Sequence, residues 1–139
     1  MTEDSSIIYF VRHGECMGNI SRKNLPPDEA VLTENGKLQA TLLGKHLEDV
    51  KFTLAYASDY PRALETAQRV LAESIVSSNL ELQTDIKLRE KFLGIFENGT
   101  EISTMLRGLI VSKKDFLDYV PEGAETREDV ERRIEDFLQ

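Results

Sequence analysis

The sequence predicts an α/β fold with three layers, in which helices flank a mainly parallel sheet. Strand-like and helix-like patterns alternate along the chain, which is typical of domains with parallel sheets. Polar residues directly follow two of the strand-like segments, as they do where a site lies at the carboxyl edge of such a sheet. The chain has 139 residues, enough to bury one core, so we expect a single domain.

The first third of the chain has the patterns of a strand, a loop and a helix. Residues 7–11 are β-branched, aliphatic or aromatic, which predicts a buried strand. Residues 21–30 are expected to form a loop, because their two consecutive prolines fit neither a helix interior nor a central strand. Thr33 is suited to cap a helix that runs to about Asp49, in which leucines recur at helical spacing.

The middle of the chain repeats this alternation. A short apolar strand is expected at residues 54–57, followed by a helix over residues 62–74 whose apolar face excludes Arg62. Arg62 is therefore expected on a solvated face, although a cation at a helix N-terminus opposes the helix dipole and indicates an anionic partner. Residues 80–83 alternate leucine with polar residues, which predicts a third strand exposed on one face.

Two further helices are expected in the last third. Apolar residues at helical spacing from Ile102 to Ile110 predict the first of them, with Thr100 as its cap. The second is expected to begin at Thr126, with Asp129 completing an approximate capping box.

Charge and composition disfavour several classes of function. The formal net charge is −8, so phosphate backbones would repel the chain and nucleic acid is not an expected partner. Apolar runs are far shorter than the roughly 20 residues that cross a bilayer, and residues 1–6 do not resemble a signal sequence, so we expect a cytoplasmic protein without a membrane partner. The single cysteine, Cys16, excludes an internal disulfide and a cysteine-rich zinc site.

The residues that follow the first two strands are suited to phosphate chemistry. Arg12 and His13 follow the first strand, and Arg62 lies shortly after the second. A guanidinium group can bind two oxygens of one phosphate in a bidentate manner, and it stays charged at any working pH. A neutral imidazole beside them is a competent nucleophile toward phosphorus. Gly14 would let the backbone approach a ligand closely.

The leaving group of such a phosphate needs a proton. Glu90 and Glu97 are the candidate acids, because burial beside the nearby phenylalanines would raise the pKa of a carboxyl group. His46 lies on a charged helix end and is interpreted as a structural residue. Cys16 is interpreted as a small, partly buried side chain.

Five segments resemble motifs of the histidine phosphatase superfamily, whose members have the phosphoglycerate-mutase-like fold. They are RHGECMGN from residue 12, LTENGKLQA from residue 32, ASDYPRALETA from residue 57, LREKFLGIFENG from residue 88 and PEGAET from residue 121. Within the superfamily, HLEDVKFTLAYASD from residue 46 and the PEGAET region resemble TIGAR-like fructose-2,6-bisphosphatases.

This resemblance implies a phosphatase of small phosphorylated metabolites, such as sugar bisphosphates, that needs no metal or other cofactor. It implies that His13 accepts the phosphoryl group as phosphohistidine and that Glu90 protonates the leaving group. It also implies that Arg12, Asn19 and Arg62 bind the phosphate.

The chain departs from the family pattern in several places. Asn98 and Ala124 stand at family glycine positions, and Cys16 stands where serine or threonine is frequent. The second catalytic histidine of the family has no counterpart before Gln139, where a helical pattern is still running. We therefore expect residues 1–139 to be the N-terminal portion of a single histidine phosphatase domain, with an exposed first strand and reduced or absent activity.

Two other functions stay open at this stage. A chain that keeps the phosphate-binding residues without the chemistry would be an inactive phosphate-binding or protein-interaction module. A phosphoglycerate mutase would form the same intermediate and pass the phosphoryl group to a different acceptor. The sequence specifies neither the substrate nor the oligomeric state.

Overall fold

The computed structural model describes residues 6–113, 115 and 118–139. This part of the chain contains five α-helices, four short β-strands and two 3₁₀ turns. In chain order the elements are α1 (Met17–Ser21), β1 (Lys23–Asn24), α2 (Glu34–His46), β2 (Ala55–Ala57), α3 (Pro61–Ala72), β3 (Leu82–Thr84), the 3₁₀ turns Ile86–Leu88 and Gly94–Phe96, β4 (Thr100–Glu101), α4 (Ile102–Ser112) and α5 (Arg127–Leu138).

The four strands form two separate pairs. β2 and β3 are parallel, with Ala55 opposite Leu82 and Ala57 opposite Thr84. The helix α3 connects them, as the crossover between two parallel strands requires. β1 and β4 are antiparallel. Within the described residues the expected parallel sheet is thus reduced to the β2–β3 pair.

Residues 7–11 do not form the buried strand that their composition predicts. Their side chains are 44% to 92% exposed. Among the described residues, their backbone groups have no hydrogen-bond partner. A β-branched and aromatic segment becomes a strand only when a neighbouring strand supplies the hydrogen-bond ladder, and neither β2 nor β3 pairs with this one. The segment is exposed, as expected, but it does not form the expected strand.

Local capping signals predict the helix starts more reliably. The Thr33 hydroxyl accepts a hydrogen bond from the third backbone N–H of its helix at 3.0 Å, so α2 begins where the sequence places it. Thr126 and Asp129 form the expected capping box of α5. The expectation for Thr100 is wrong, because Thr100 belongs to β4 and Glu101 precedes the first turn of α4.

The buried apolar residues are few and are spread over several elements, with Ala40 in α2, Val70 in α3 and Met105 in α4. The buried apolar residues are Cys16, Ala30, Leu32, Ala40, Ala57, Val70 and Met105. Gly44 of α2 lies so close to α3 that an added Cβ would be 2.7 Å from the carbonyl oxygen of Val70. None of the helices in the described ranges combines the length and the hydropathy that a bilayer span requires.

Candidate active site

Three segments of the chain meet around one cavity of about 250 Å³. The first follows the exposed segment 7–11, the second joins β2 to α3, and the third follows the 3₁₀ turn Ile86–Leu88. The cavity is lined by Val11, Arg12, His13, Ser58, Tyr60, Arg62, Ala63, Leu88 and Glu90. The structure therefore brings together four of the five predicted site residues, namely Arg12, His13, Arg62 and Glu90.

A backbone contact favours the tautomer of neutral His13 in which Nε2 keeps its lone pair. Its Nδ1 lies 2.7 Å from the carbonyl oxygen of Gly14. A carbonyl oxygen only accepts, so Nδ1 bears the proton and Nε2 keeps its lone pair in the neutral ring. Burial lowers the pKa of His13 below its ordinary value of 6.5, and the cations of Arg62 and Arg12 act in the same direction. The bond to Gly14 and the carboxylate of Glu90 oppose this shift.

Arg62 is buried, which corrects the expectation of a solvated face. Its side chain is 11% exposed, and its Nη2 donates to Glu90 Oε2 at 2.9 Å. The buried face of α3 consists of Arg62, Thr66 and Val70, at a spacing of four residues. A guanidinium can occupy such a face because the Glu90 carboxylate and the Tyr60 ring, 5.0 Å from the guanidinium carbon, compensate its burial.

Thr66 links α3 to the segment that holds His13. Its hydroxyl accepts from the Gly14 N–H at 3.1 Å and donates to the Arg62 carbonyl oxygen at 2.7 Å. Thr66 is 3% exposed, so both groups are satisfied away from water. Sequence reasoning gave no role to this residue, although its four-residue spacing from Arg62 in the ASDYPRALETA segment was a usable signal.

The two candidate acids differ in their surroundings. Glu90 lines the cavity, but its side chain is 69% exposed, so the expected burial beside phenylalanines is wrong. The ion pair with Arg62 holds it at the cavity instead. Glu97 does not line the cavity, and its Oε1 accepts from the Leu93 N–H at 2.8 Å, which is a structural contact within one turn.

Asn19 lines a second cavity of about 340 Å³ that His13 also lines. Its lining consists of Arg12, His13, Glu15, Asn19 and Gln39. The Asn19 Oδ1 accepts from the backbone N–H of Cys16 at 2.9 Å and from its Sγ at 3.2 Å. Its amide nitrogen is left as a donor. The two cavities share Arg12 and His13, so Asn19 and Arg62 each lie in a cavity that the predicted nucleophile lines.

This arrangement favours an anionic ligand with an organic part. Arg12 and Arg62 provide cationic donors, while Val11, Tyr60, Ala63 and Leu88 provide apolar surface in the same cavity. Within the described ranges, no three carboxylate, imidazole or thiol side chains are grouped as metal ligands would be. The chemically active groups in the cavity lining include an imidazole, two guanidiniums and a carboxylate, from His13, Arg12, Arg62 and Glu90.

Comparison with known protein families matches residues 8–139 to the histidine phosphatase superfamily, branch 1. The chain belongs to this superfamily. The match includes every residue that lines the two cavities. The expected family is therefore confirmed.

Individual relatives agree with this membership. The chain is 33% identical over 133 residues to fructose-2,6-bisphosphatase TIGAR B of Danio rerio, which covers 94% of this chain and 51% of the relative. Among solved structures, it resembles a phosphoglycerate mutase of Bacillus anthracis with a TM-score of 0.78 and 32% identity, covering 91% of this chain and 63% of that one. It resembles YhfR of Bacillus stearothermophilus with a TM-score of 0.77 and 32% identity, covering 92% and 63%.

These similarities confirm the α/β fold of the phosphoglycerate-mutase-like type. They also show a difference in size, because the chain spans about half the length of the curated relatives it matches. The solved neighbours are likewise longer than this chain.

Proposed function

We propose that the chain is a phosphatase of small phosphorylated metabolites that acts through a phosphohistidine on His13, with activity reduced because the family's second catalytic histidine has no counterpart in it. The observation on which this depends is the Nδ1 contact of His13 with the Gly14 carbonyl, in a cavity with two arginines. That contact leaves Nε2 as a lone-pair nucleophile, and the arginines stabilise negative charge on a phosphoryl group. A sugar bisphosphate, as for the fructose-2,6-bisphosphatase relatives, is the proposed substrate class.

In the first step, a phosphate ester binds with its phosphoryl oxygens on Arg12 and Arg62. Asn19 contributes its amide N–H from the second cavity, which His13 also lines. The phosphate takes the place of Glu90 as the partner of Arg62, because it has the higher charge and more acceptor oxygens. The carboxylate of Glu90, released from Arg62, takes up a proton from solvent and is then available as an acid to the leaving oxygen.

In the second step, Nε2 of His13 attacks phosphorus. A P–N bond forms while the P–O bond to the leaving group breaks, and the proton of Glu90 passes to the leaving oxygen. Water then attacks phosphorus and gives its proton to Glu90; a P–O bond forms while the P–N bond breaks, which returns the lone pair to Nε2 of His13 and releases inorganic phosphate. No metal or other cofactor takes part in this proposed cycle.

Residues 1–139 are proposed to be the N-terminal portion of a single histidine phosphatase domain. The similarity over about half of each curated relative supports this proposal. We further propose that the protein is cytoplasmic and has neither nucleic acid nor membrane as a partner, in keeping with its net charge of −8.

The decisive experiment uses the purified 139-residue chain with an aryl phosphate and with fructose 2,6-bisphosphate. Circular dichroism establishes folding, and acid-labile ³²P-labelling detects phosphohistidine. We expect labelling that His13→Ala abolishes and His46→Ala leaves in place, since His46 is exposed and lines neither cavity. A folded chain that binds phosphate without labelling would reject the phosphatase in favour of the inactive binding module.

A phosphoglycerate mutase is the second candidate, and the similarity to the Bacillus anthracis mutase favours it. Both functions share the phosphohistidine and differ in its acceptor. Transfer of label to 3-phosphoglycerate faster than release of inorganic phosphate would assign the mutase. Release to water at the same rate with and without this acceptor would assign the phosphatase.

A further inference from the structure

Two ion pairs connect the same two segments at the cavity. The inner pair is Arg62–Glu90, described above. The outer pair is Asp59–Arg89, in which Arg89 Nε donates to Oδ1 at 2.7 Å and Nη2 donates to Oδ2 at 2.5 Å. Asp59 lies three residues before Arg62, and Arg89 lies directly before Glu90. The outer pair is bidentate, which fixes orientation as well as distance.

Tyr60 lies between the two pairs. Its ring centroid is 5.0 Å from the guanidinium carbon of Arg62 and 5.1 Å from that of Arg89. Both distances are within the range of cation–π attraction. The ring also lines the cavity, whereas Asp59 and Arg89 do not. Tyr60 therefore contacts both Arg89 of the outer pair and Arg62, the residue that would bind phosphate.

We propose that Asp59, Tyr60 and Arg89 form a clamp that holds Arg62 and Glu90 at the cavity when a phosphate separates the inner pair. The inference rests on the proposed function, in which Arg62 exchanges its Glu90 partner for the ligand. An interaction that the ligand disrupts cannot also hold the two segments together during the reaction. The outer pair can, because neither of its members lines the cavity.

The electrostatics of the clamp suit this role. The hydrogen bonds from Arg89 lower the pKa of Asp59 below its ordinary value, so the carboxylate is charged at neutral pH. Arg89 and Asp59 are 43% and 33% exposed, and pairs of such exposure stabilise folded proteins little. We therefore assign the three residues to positioning, and we expect their loss to affect ligand binding more than stability.

The test compares clamp variants with a matched ion pair elsewhere. Arg69–Glu65 on α3 is suited to this purpose, because its members are 37% and 31% exposed and neither lines the cavity. We expect Arg89→Met to weaken the binding of inorganic phosphate by about fivefold, as coupled residues in one network typically do. We expect Glu65→Gln to change it by less than about twofold. Calorimetry gives the dissociation constant, and thermal unfolding gives the stability of each variant.

Tyr60 provides the conservative comparison and covers the case in which Arg89→Met does not fold. Tyr60→Phe keeps the ring, so it should lose less phosphate affinity than Tyr60→Ala. With an aryl phosphate, clamp variants should raise KM in proportion to the phosphate dissociation constant and lower kcat as well, since Glu90 is also displaced. A purely structural role would instead lower Tm without this joint change.

The outcomes separate the clamp from the function on which it depends. A folded wild-type chain that binds no phosphate overturns the proposed function and the clamp with it. A wild-type chain that binds phosphate, with Arg89→Met equal to Glu65→Gln and Tyr60→Ala equal to Tyr60→Phe, overturns the clamp alone. Weakened binding in Arg89→Met and Tyr60→Ala at unchanged Tm supports it.

Discussion

Gly14 lies directly against the backbone of Gly36, so that a Cβ on either residue would collide with a main-chain oxygen. This contact packs the first turn of α2 against Gly14, the residue that follows His13. Sequence reasoning expects Gly14 to allow close approach of a ligand, whereas the close approach in the structure is to α2. The glycine pair is therefore a packing contact that fixes the position of the predicted nucleophile.

Alanine at either glycine should separate α2 from the His13 segment. We expect Gly14→Ala and Gly36→Ala to lower the free energy of unfolding by about 1–3 kcal/mol, the usual cost of overpacking. Both should also weaken phosphate binding, because His13 and Arg12 would move with the backbone. Chemical denaturation and calorimetry measure the two effects.

Gly44→Ala is the control for this pair. Its Cβ would also meet backbone, 2.7 Å from the Val70 oxygen, but between α2 and α3 and outside both cavities. It should lower stability and leave phosphate affinity within about twofold, as expected for a well-separated site. Equal losses of affinity in Gly44→Ala and Gly36→Ala would show that the site responds to general destabilisation only.

The Thr66 hydroxyl is predicted to matter through the Gly14 N–H. Thr66→Val keeps the shape of the side chain but leaves this buried N–H without its partner, at a cost of about 1–3 kcal/mol. Thr66→Ser keeps the hydroxyl and should be the less destabilised variant. Hydrogen exchange at Gly14 measures the effect directly, with faster exchange expected in Thr66→Val. Unchanged exchange in that variant would contradict the role of the bond.

Features that depend on a few neighbouring residues could be predicted from the sequence. The caps at Thr33 and Thr126 are of this kind, because the hydroxyl and the N–H that it accepts from are three residues apart. The convergence of Arg12, His13 and Arg62 was predicted from two strand ends, and it is present although residues 7–11 are not a strand in the structure.

Features that depend on distant partners could not be predicted. Residues 7–11 have the composition of a strand, but a strand needs a neighbour, and the sequence does not state which neighbours are present. Arg62 was expected in solvent because its partners, Glu90 and Tyr60, belong to the tertiary structure. Glu90 was expected to be buried because phenylalanines are near it in the sequence. The expectation failed because neighbours in the sequence do not determine which residues cover a side chain in the fold.

The exposed segment 7–11 is predicted to make the chain self-associate. Phe10 is 92% exposed, and its backbone groups have no hydrogen-bond partner in the described part of the chain. Unpaired apolar edges of this kind favour strand addition between molecules. We expect Phe10→Lys to reduce concentration-dependent association in analytical ultracentrifugation.

Val111→Lys is the matched control, because Val111 is 81% exposed but lies in α4, where its backbone N–H is hydrogen-bonded within the helix. It should reduce association less than Phe10→Lys does. An equal reduction by the two variants would mean that exposed apolar surface, and not the unpaired backbone, drives association.

The pH dependence of His13 follows from the causes of its lowered pKa. Burial and the cations of Arg62 and Arg12 disfavour the charged ring, so we expect its titration midpoint below 6.5 and a neutral nucleophile at pH 7. Arg12→Gln should raise this midpoint, because it removes a repelling cation, and Glu90→Gln should lower it, because it removes an attracting anion. NMR titration of the imidazole signals measures the midpoint without requiring activity, and His46→Asn assigns the second histidine of the chain.

The rate of phosphohistidine formation should fall with decreasing pH through the same midpoint, because protonation removes the lone pair of Nε2. A midpoint above 6.5, or opposite shifts in the two variants, would contradict this electrostatic description of the site.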